Sequence, residues 1–281
     1  MATIAALGMG LLGSGFAEHM LQLGHTVRVW NRTPSRCAPL AAMGATHADS
    51  PAAAVEGADY VHLILAADAS VDSVIAQLRP SLPADTPILD HSTNLPAGVA
   101  ARFAALRAAG VRYLHAPVFM GPSSAREGSG IMMLSGPQDE LRALVPYLST
   151  LTGKLVNLGP RPDKAAAVKI VGNSVLLMMT ATMGEALTLG AAAGVSGAEV
   201  IELFTMFSPT PARMGQRVLD SARAPVSFEA SMARKDVGLM IDAAGTEALS
   251  LLPAIAAVLD EGIAAGRGDE DFTALFRPPS V

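Results

Sequence analysis

The feature that most constrains this chain is a glycine-rich turn directly after an apolar run near its start. Residues 4–7 are apolar, Gly8-Met9-Gly10-Leu11-Leu12-Gly13 follows, and an amphipathic segment then leads to a second apolar run at 26–30. A strand, a G-x-G-x-x-G turn, a helix and a second strand form the βαβ unit that binds dinucleotides. Its glycines permit the tight turn, the approach of the backbone to a pyrophosphate and close helix packing, and the helix N-terminus offers N–H groups to the phosphates.

The residues after the second strand favour NADP over NAD. A carboxylate at this point accepts hydrogen bonds from the free ribose 2′-hydroxyl of NAD. The chain instead has Asn31-Arg32-Thr33-Pro34, with a guanidinium and a hydroxyl but no carboxylate. Both groups can bind a 2′-phosphate through charge-assisted hydrogen bonds, and Arg36 is a further candidate. We therefore predict NADP(H) in preference to NAD(H); the alternative is that Arg32 is a solvated loop arginine.

Apolar runs alternate with amphipathic segments as far as residue 158, which is typical of a parallel sheet covered by helices. We predict seven strands in one open sheet, at 4–7, 26–30, 60–65, 87–90, 112–115, 132–135 and 154–157. Gly159-Pro160-Arg161-Pro162 interrupts the pattern. Beyond it we predict only helices, at 164–193, 197–206, 210–222, 231–244 and 248–265. The prediction is an α/β chain: a Rossmann-type doubly wound domain at 1–161, then an all-α domain at 162–281 that begins with a long interdomain helix.

Composition narrows the possible partners. A length of 281 residues, 51% of them hydrophobic, suits two domains with sizeable cores. A formal net charge of -5 without a Lys/Arg-rich run argues against nucleic acid and favours a small-molecule substrate. The single cysteine, Cys37, cannot form an internal disulfide, so we expect a cytoplasmic setting. The apolar stretch 170–195 contains Asn173 and Glu185 and suits a buried helix better than a membrane span, and the histidine spacing predicts no metal site.

Five motifs in order resemble the β-hydroxyacid dehydrogenase family, which includes 3-hydroxyisobutyrate dehydrogenases and glyoxylate/succinic semialdehyde reductases. The first is the glycine turn, and the second, Asp90-His91-Ser92-Thr93-Asn94-Leu95-Pro96, is similar to the family's D-x-S-T-x-x-P. The others are Ala116-Pro117-Val118, Lys169 with Asn173, and Lys235-Asp236. The resemblance covers nearly the whole chain and implies hydride transfer between a nicotinamide cofactor and a small substrate.

The resemblance also implies roles for individual residues. Lys169 is the general acid for carbonyl reduction and the general base for alcohol oxidation, and Asn173, four residues later on the same predicted helix face, orients it. The implied cofactor contacts are Gly8, Met9, Gly10, Leu11, Leu12, Gly13, Asn31, Arg32, Thr33, Leu65, Thr93 and Lys235. The implied substrate contacts are Ser92, Phe119, Met120 and Gly121. Structural alternatives are helix capping by Ser92 or Asn94 and an exposed ion pair for Lys235 with Asp236.

The chain departs from the family in the substrate motif. The usual D-A-P-V-S-G-G is replaced by His115-Ala116-Pro117-Val118-Phe119-Met120-Gly121. Phe119 replaces a hydroxyl and Met120 fills the space of a glycine, so we expect a narrower and more apolar site that lacks one contact for a substrate carboxylate. Candidates to replace that contact are Ser123, Ser124, Arg126 and Arg213. For His115 we expect a hydrogen-bonded position at a strand end, with a catalytic role as the alternative.

These observations predict an NADP-dependent oxidoreductase that interconverts a small aldehyde or keto acid and its hydroxy acid, with Lys169 as general acid/base. An imine or uncharged-carbonyl reductase on the same fold is one alternative, and a non-catalytic cofactor-binding scaffold is another. The long apolar helix predicts a homodimer or homotetramer.

Overall fold

The computed structural model describes residues 1–278 and divides into two compact units, Met1–Lys169 and Ile170–Val281. The last three residues of the predicted domain 162–281 lie outside the described residues. The division falls within a long helix, and the boundary predicted after residue 161 lies just before that helix begins.

The first unit is built from alternating strands and helices. Its strands are β1 (Thr3–Leu7), β2 (Thr26–Trp30), β3 (Thr46–His47), β4 (Tyr60–Leu63), β5 (Ile88–Asp90), β6 (Tyr113–His115), β7 (Val118–Phe119), β8 (Ile131–Leu134) and β9 (Lys154–Asn157). Its helices are α1 (Leu11–Gln22), α2 (Ala38–Ala42), α3 (Pro51–Val55), α4 (Asp68–Leu78), α5 (Pro96–Ala108), α6 (Pro122–Arg126), α7 (Gln138–Leu148) and the start of α8 (Lys164–Ala192).

The main sheet has six parallel strands in the order β3-β2-β1-β4-β5-β6. This is the doubly wound order: β2 and β3 are added on one side of β1, and β4, β5 and β6 are then added on its other side. Successive side chains of a strand point to opposite faces, and β1 is buried on both: Ile4 and Ala6 join one hydrophobic core, whereas Ala5 and Leu7 join the other. Helices therefore cover both faces, which confirms the predicted fold class.

The prediction of one seven-stranded sheet is wrong. The strands predicted at 132–135 and 154–157 are β8 and β9, and they form a separate sheet with β7. In this second sheet β7 runs antiparallel to β8, with Phe119 opposite Ile131, and β8 runs parallel to β9. Strands β3 and β7 were not predicted from the sequence. Each has only two residues, too few to show a periodic pattern.

The second unit is helical, as predicted. It contains the rest of α8, then α9 (Gly197–Phe207), α10 (Pro209–Asp220), α11 (Ala230–Ala244), α12 (Leu251–Ala264) and a 3₁₀ turn at Phe272–Phe276. α9 begins with a capping box, because the Ser196 hydroxyl accepts from the Glu199 N–H while the Glu199 carboxylate accepts from the Ser196 N–H. The main core of this unit is formed by α8, α11 and α12 around Leu177, Val237 and Leu259.

α8 is long and apolar enough to cross a membrane by length and composition alone. A core helix of a globular protein passes the same test, and a third of its most apolar window is buried inside the protein. The exposed large apolar residues of the second unit include Val171 and Leu189 on α8 and Met206 and Phe207 on α9.

Candidate cofactor and catalytic site

The glycine turn has the geometry expected for phosphate binding. Gly8 has φ +109°, and a Cβ there would lie 2.2 Å from the Ile64 carbonyl oxygen. A Cβ at Gly13 would lie 1.8 Å from the Gly8 carbonyl oxygen, so both positions must be glycine. A Cβ at Gly10 would instead enter open space, directly at the start of α1, which has no side-chain cap at its N-terminus. Open space before uncapped N–H groups fits a pyrophosphate.

The loop after β2 is braced against this turn by Asn31. Its Oδ1 accepts a hydrogen bond from the Met9 N–H at 3.0 Å, and its Nδ2 donates to the Thr33 carbonyl oxygen at 3.0 Å. Arg32 and Thr33 are exposed beside it. This places the predicted 2′-phosphate ligands in the loop that is hydrogen-bonded to the glycine turn.

Further predicted site residues follow the carboxyl ends of β4 and β5, the edge of a parallel sheet at which ligands bind. The Ser92 hydroxyl accepts a hydrogen bond from the Leu65 N–H at 2.9 Å, which joins the two loops. Neither Ser92 nor Asn94 caps α5: its N-cap is Leu95, whose N–H donates to Asp68 Oδ2 at 3.0 Å. The capping alternative is therefore wrong, because the Asn94 side chain donates to Asp90 instead.

Asp90, at the end of β5, is the centre of the loop's hydrogen bonds, a role that was not predicted from the sequence. Its carboxylate accepts from the Ser92 N–H, from Asn94 Nδ2 and from the Tyr113 hydroxyl. Arg102 lies 3.9 Å away and also pairs with Asp68. Burial, followed by the charge of Asp90, raises the pKa of Tyr113 well above its usual value. This buried network fixes the loop that carries Ser92 and Thr93.

Histidine side chains form a second buried hydrogen-bond network in the first unit. His91 Nδ1 contacts the Ala116 carbonyl oxygen at 2.7 Å, which makes that nitrogen the donor. His91 Nε2 must then accept from His62 Nδ1 at 2.8 Å, and His62 Nε2 accepts from the Tyr147 hydroxyl at 2.7 Å. Each imidazole is neutral in this arrangement. Burial is the largest cause of the lowered pKa values, to about 4 for His91 and well below the usual value for His62.

His115 is buried at the end of β6. Its Nε2 donates to the Ser92 carbonyl oxygen at 2.9 Å, and burial lowers its pKa. This is the hydrogen-bonded strand-end position that the sequence analysis expected, and it ties the substrate motif to the D-x-S-T-type loop.

Lys169 lies at the end of the first unit, in the early turns of α8. Its Nζ lies 4.2 Å from the centroid of the Phe119 ring, within the range of a cation–π interaction. Phe119 belongs to the segment that follows the carboxyl end of β6. The structure thus brings together the predicted general acid and the residue at which the substrate motif departs from the family, a pairing that sequence spacing could not show.

The second unit contains another group of predicted residues. Asn173 Nδ2 donates to Asp236 Oδ2 at 2.8 Å, and Lys235 Nζ lies 2.7 Å from Asp236 Oδ1. Asn173 and Asp236 are buried, and the Lys235 side chain is 23% exposed. The ion pair of Lys235 with Asp236 was therefore expected, whereas the burial of Asp236 and its hydrogen bond with Asn173 were not predicted.

The two arginines that could replace the missing contact for a substrate carboxylate have different partners. Arg126 forms an ion pair with Glu18 at 2.8 Å, and Arg213 lies 3.4 Å from the Thr210 hydroxyl. Within residues 1–278, no group of three or more His, Cys, Asp or Glu side chains is placed to hold a metal ion.

Comparison with known proteins identifies the family. Residues 3–159 match the NAD-binding domain of 6-phosphogluconate dehydrogenase, and residues 164–278 match the NAD-binding region of NADP-dependent 3-hydroxyisobutyrate dehydrogenase. The chain belongs to the β-hydroxyacid dehydrogenase family. It is an oxidoreductase that binds a nicotinamide dinucleotide, as the five motifs implied.

Individual relatives cover nearly the whole chain. A 3-sulfolactaldehyde reductase of Escherichia coli is 28% identical over 100% of this chain and 97% of its own length. The Mycobacterium tuberculosis 3-hydroxyisobutyrate dehydrogenase structure with L-serine is 26% identical, with a TM-score of 0.84 over 98% of each chain. An imine reductase from Pseudomonas sp., 23% identical, has a TM-score of 0.69 over 98% of each chain and shares the fold.

Proposed function

We propose that this chain is an NADP-dependent oxidoreductase that interconverts a small aldehyde or keto acid and its hydroxy acid, with Lys169 as general acid and base. The observation that carries the proposal is the Lys169 ammonium held over Phe119, in the segment that follows β6. The similarity to relatives named 3-sulfolactaldehyde reductase and 3-hydroxyisobutyrate dehydrogenase supports a substrate of this class.

The chain's own groups divide the chemistry among them. When bound, the cofactor supplies a hydride to the carbonyl carbon. Lys169 Nζ donates a proton to the carbonyl oxygen, so that the C=O group becomes CH–OH, and the neutral amine then takes a proton from solvent. Asn173 follows one turn later on α8 and is held by Asp236. In the oxidation direction the amine accepts the hydroxyl proton.

The cofactor preference rests on the loop after β2. Arg32 and Thr33 are exposed in a loop that Asn31 ties to the glycine turn, and residues 31–34 contain no carboxylate. A charge-assisted hydrogen bond contributes about 1.5–3 kcal/mol, which corresponds to about 10- to 150-fold in affinity. Replacing Arg32 with Ala is expected to weaken NADPH binding by that factor and to leave NADH binding almost unchanged. Equal losses for both cofactors would contradict NADP preference.

An uncharged-carbonyl or imine substrate is the second candidate. It is favoured by the side chains of the substrate motif, where Phe119 and Met120 replace the family's hydroxyl and glycine. Neither side chain can donate a hydrogen bond to a carboxylate.

A substrate panel tests the proposal and separates the two candidates. Oxidation of NADPH and NADH is followed in parallel with carboxylated carbonyls, uncharged aldehydes and ketones, and cyclic imines. Turnover of the carboxylated compounds with NADPH supports the first candidate. Turnover of only uncharged compounds supports the second, and tight NADPH binding without turnover of any compound would indicate a non-catalytic scaffold.

The assembly and location of the protein belong to the same proposal. We infer a homodimer or homotetramer, because Val171, Leu189, Met206 and Phe207 expose between 63% and 73% of their surface in the single chain. Sedimentation at micromolar concentration tests this, and a monomer would contradict it. The buried free thiol of Cys37 supports a reducing, cytoplasmic setting.

A further inference from the structure

The ring of Phe119 is held in place by the second sheet. Phe119 pairs across β7 and β8 with Ile131, and the Pro117 carbonyl oxygen accepts from the Met133 N–H at 2.9 Å. Gly130, just before β8, packs so closely that a Cβ there would lie 2.9 Å from the Phe119 carbonyl oxygen. The backbone on both sides of the ring is therefore fixed.

The start of α8, which carries Lys169, is attached to the same strand. Ser135 follows β8 directly, and its hydroxyl accepts from the Ala165 N–H at 2.9 Å and donates to the Pro162 carbonyl oxygen at 3.0 Å. Ala165 and Ala166 are fully buried in the first turn of the helix. Strand β8 thus holds Phe119 at one end and the base of the lysine-bearing helix at the other.

The contact of the Lys169 ammonium with the Phe119 ring differs in kind from a contact with the hydroxyl that the family pattern has at position 119. A ring face attracts an ammonium through its quadrupole and restricts the long lysine side chain, yet it has no lone pair with which to accept the proton. The ring therefore does not compete with the substrate oxygen for the ammonium's proton.

We propose that Phe119 is a positioning residue for Lys169, whose ammonium the aromatic ring holds ready to protonate the substrate oxygen. The inference rests on the proposed function, in which Lys169 is the proton donor. It assigns to Phe119 an action on the lysine, in addition to its predicted contact with substrate.

The test compares aromatic with aliphatic side chains at this position. Phe119→Leu keeps an apolar side chain but removes the quadrupole, whereas Phe119→Tyr and Phe119→Trp keep a ring face. The strength of a cation–π interaction predicts a fall in kcat of about two- to thirtyfold for Phe119→Leu, with NADPH affinity unchanged. Phe119→Tyr, which keeps the ring face, is expected to lose less of kcat than Phe119→Leu. The matched control is Phe103→Leu, because Phe103 stacks with Arg107 at 5.7 Å on α5.

A second measurement observes the contact without turnover. The chain has four lysines, Lys154, Lys164, Lys169 and Lys235, so protein labelled with [ε-13C]lysine gives four ε-methylene signals, which single Lys→Arg variants assign. We expect an upfield ring-current shift of the Lys169 signal in wild type and Phe119→Tyr, and its loss in Phe119→Leu.

The outcomes separate this inference from the proposed function. If Phe119→Leu loses the ring-current shift but keeps wild-type kcat, while Lys169→Met loses turnover, the positioning role is refuted and the proposed function stands. An unshifted Lys169 signal in wild type also refutes the positioning role. Absence of wild-type turnover with every carbonyl or imine would overturn both.

Discussion

The buried histidines make the stability of the first unit depend on pH in a predictable direction. His91 is 3% exposed and must stay neutral to donate from Nδ1 to Ala116 while accepting at Nε2 from His62. Burial lowers its pKa from 6.5 to about 4. Above pH 6.5 the histidine is neutral in both the folded and the unfolded chain. As the pH falls from 6.5 towards 4, the unfolded chain binds a proton that the folded chain does not, so the folded state loses stability.

The size of this effect follows from the two pKa values. Each pH unit between them removes about 1.4 kcal/mol, so the full loss is about 3 kcal/mol, of which about 2 kcal/mol falls between pH 7 and pH 5. His62, whose pKa is also lowered by burial, contributes in the same direction. We expect His91→Asn, which retains a donor for Ala116, to reduce the loss between pH 7 and pH 5 by about 2 kcal/mol.

Urea unfolding between pH 7 and pH 5, followed by the fluorescence of Trp30, measures this difference. Trp30 is the only tryptophan and lies at the end of β2, in the same unit as both histidines. His47→Gln is the matched control, since His47 is exposed on β3. An unchanged pH dependence in His91→Asn would refute the hydrogen-bond assignment.

Three further predictions concern the glycine turn and the two buried ionic networks. Gly13→Ala places a Cβ 1.8 Å from the Gly8 carbonyl oxygen and is expected to lower both thermal stability and NADPH affinity. Gly10→Ala, with open space around its Cβ, should lower only the NADPH affinity. A melting temperature equal to wild type in Gly13→Ala would contradict the packing argument. Arg102→Met leaves Asp90 and Asp68 without their buried cation and should reduce the free energy of unfolding by about 3–5 kcal/mol, as measured by urea titration, and a loss below about 1 kcal/mol would be inconsistent with that network. Asp236→Ala removes the acceptor of Asn173 and the partner of Lys235, so it should reduce the free energy of unfolding by about 1–3 kcal/mol and lower kcat. Unchanged thermal unfolding would show that neither contact contributes to stability.

The parts of the fold that sequence predicted well are those with local signatures. The turn from Gly8 to Gly13 could be recognised because a positive φ and close backbone contacts admit only glycine there. The helix α11 was recognised from its apolar periodicity, whereas α8 was recognised from the length of its largely apolar segment. The assignment of β8 and β9 to a second sheet could not be predicted, because an apolar run does not specify its neighbour and the pairing depends on the two-residue strand β7.

The site was predictable to the same extent. Lys169 and Asn173 could be placed on one helix face from their spacing, because helical neighbours are local. The contact of Lys169 with Phe119, and the roles of Asp90 and His91, join residues far apart in the chain. They depend on burial and on strand order, and no local pattern encodes them. His62 belongs to no motif, and only the hydrogen bond between its ring and that of His91 shows its role.

The most direct test of the central claim compares wild type with Lys169→Met under single-turnover conditions with NADPH and the best substrate of the panel. NADPH affinity is measured separately, by energy transfer from Trp30 to the reduced nicotinamide. The proposed mechanism predicts unchanged NADPH affinity and a loss of about 10²- to 10⁴-fold in the rate of hydride transfer, because a positioned general acid usually contributes a factor of this size. A rate equal to that of wild type would contradict it.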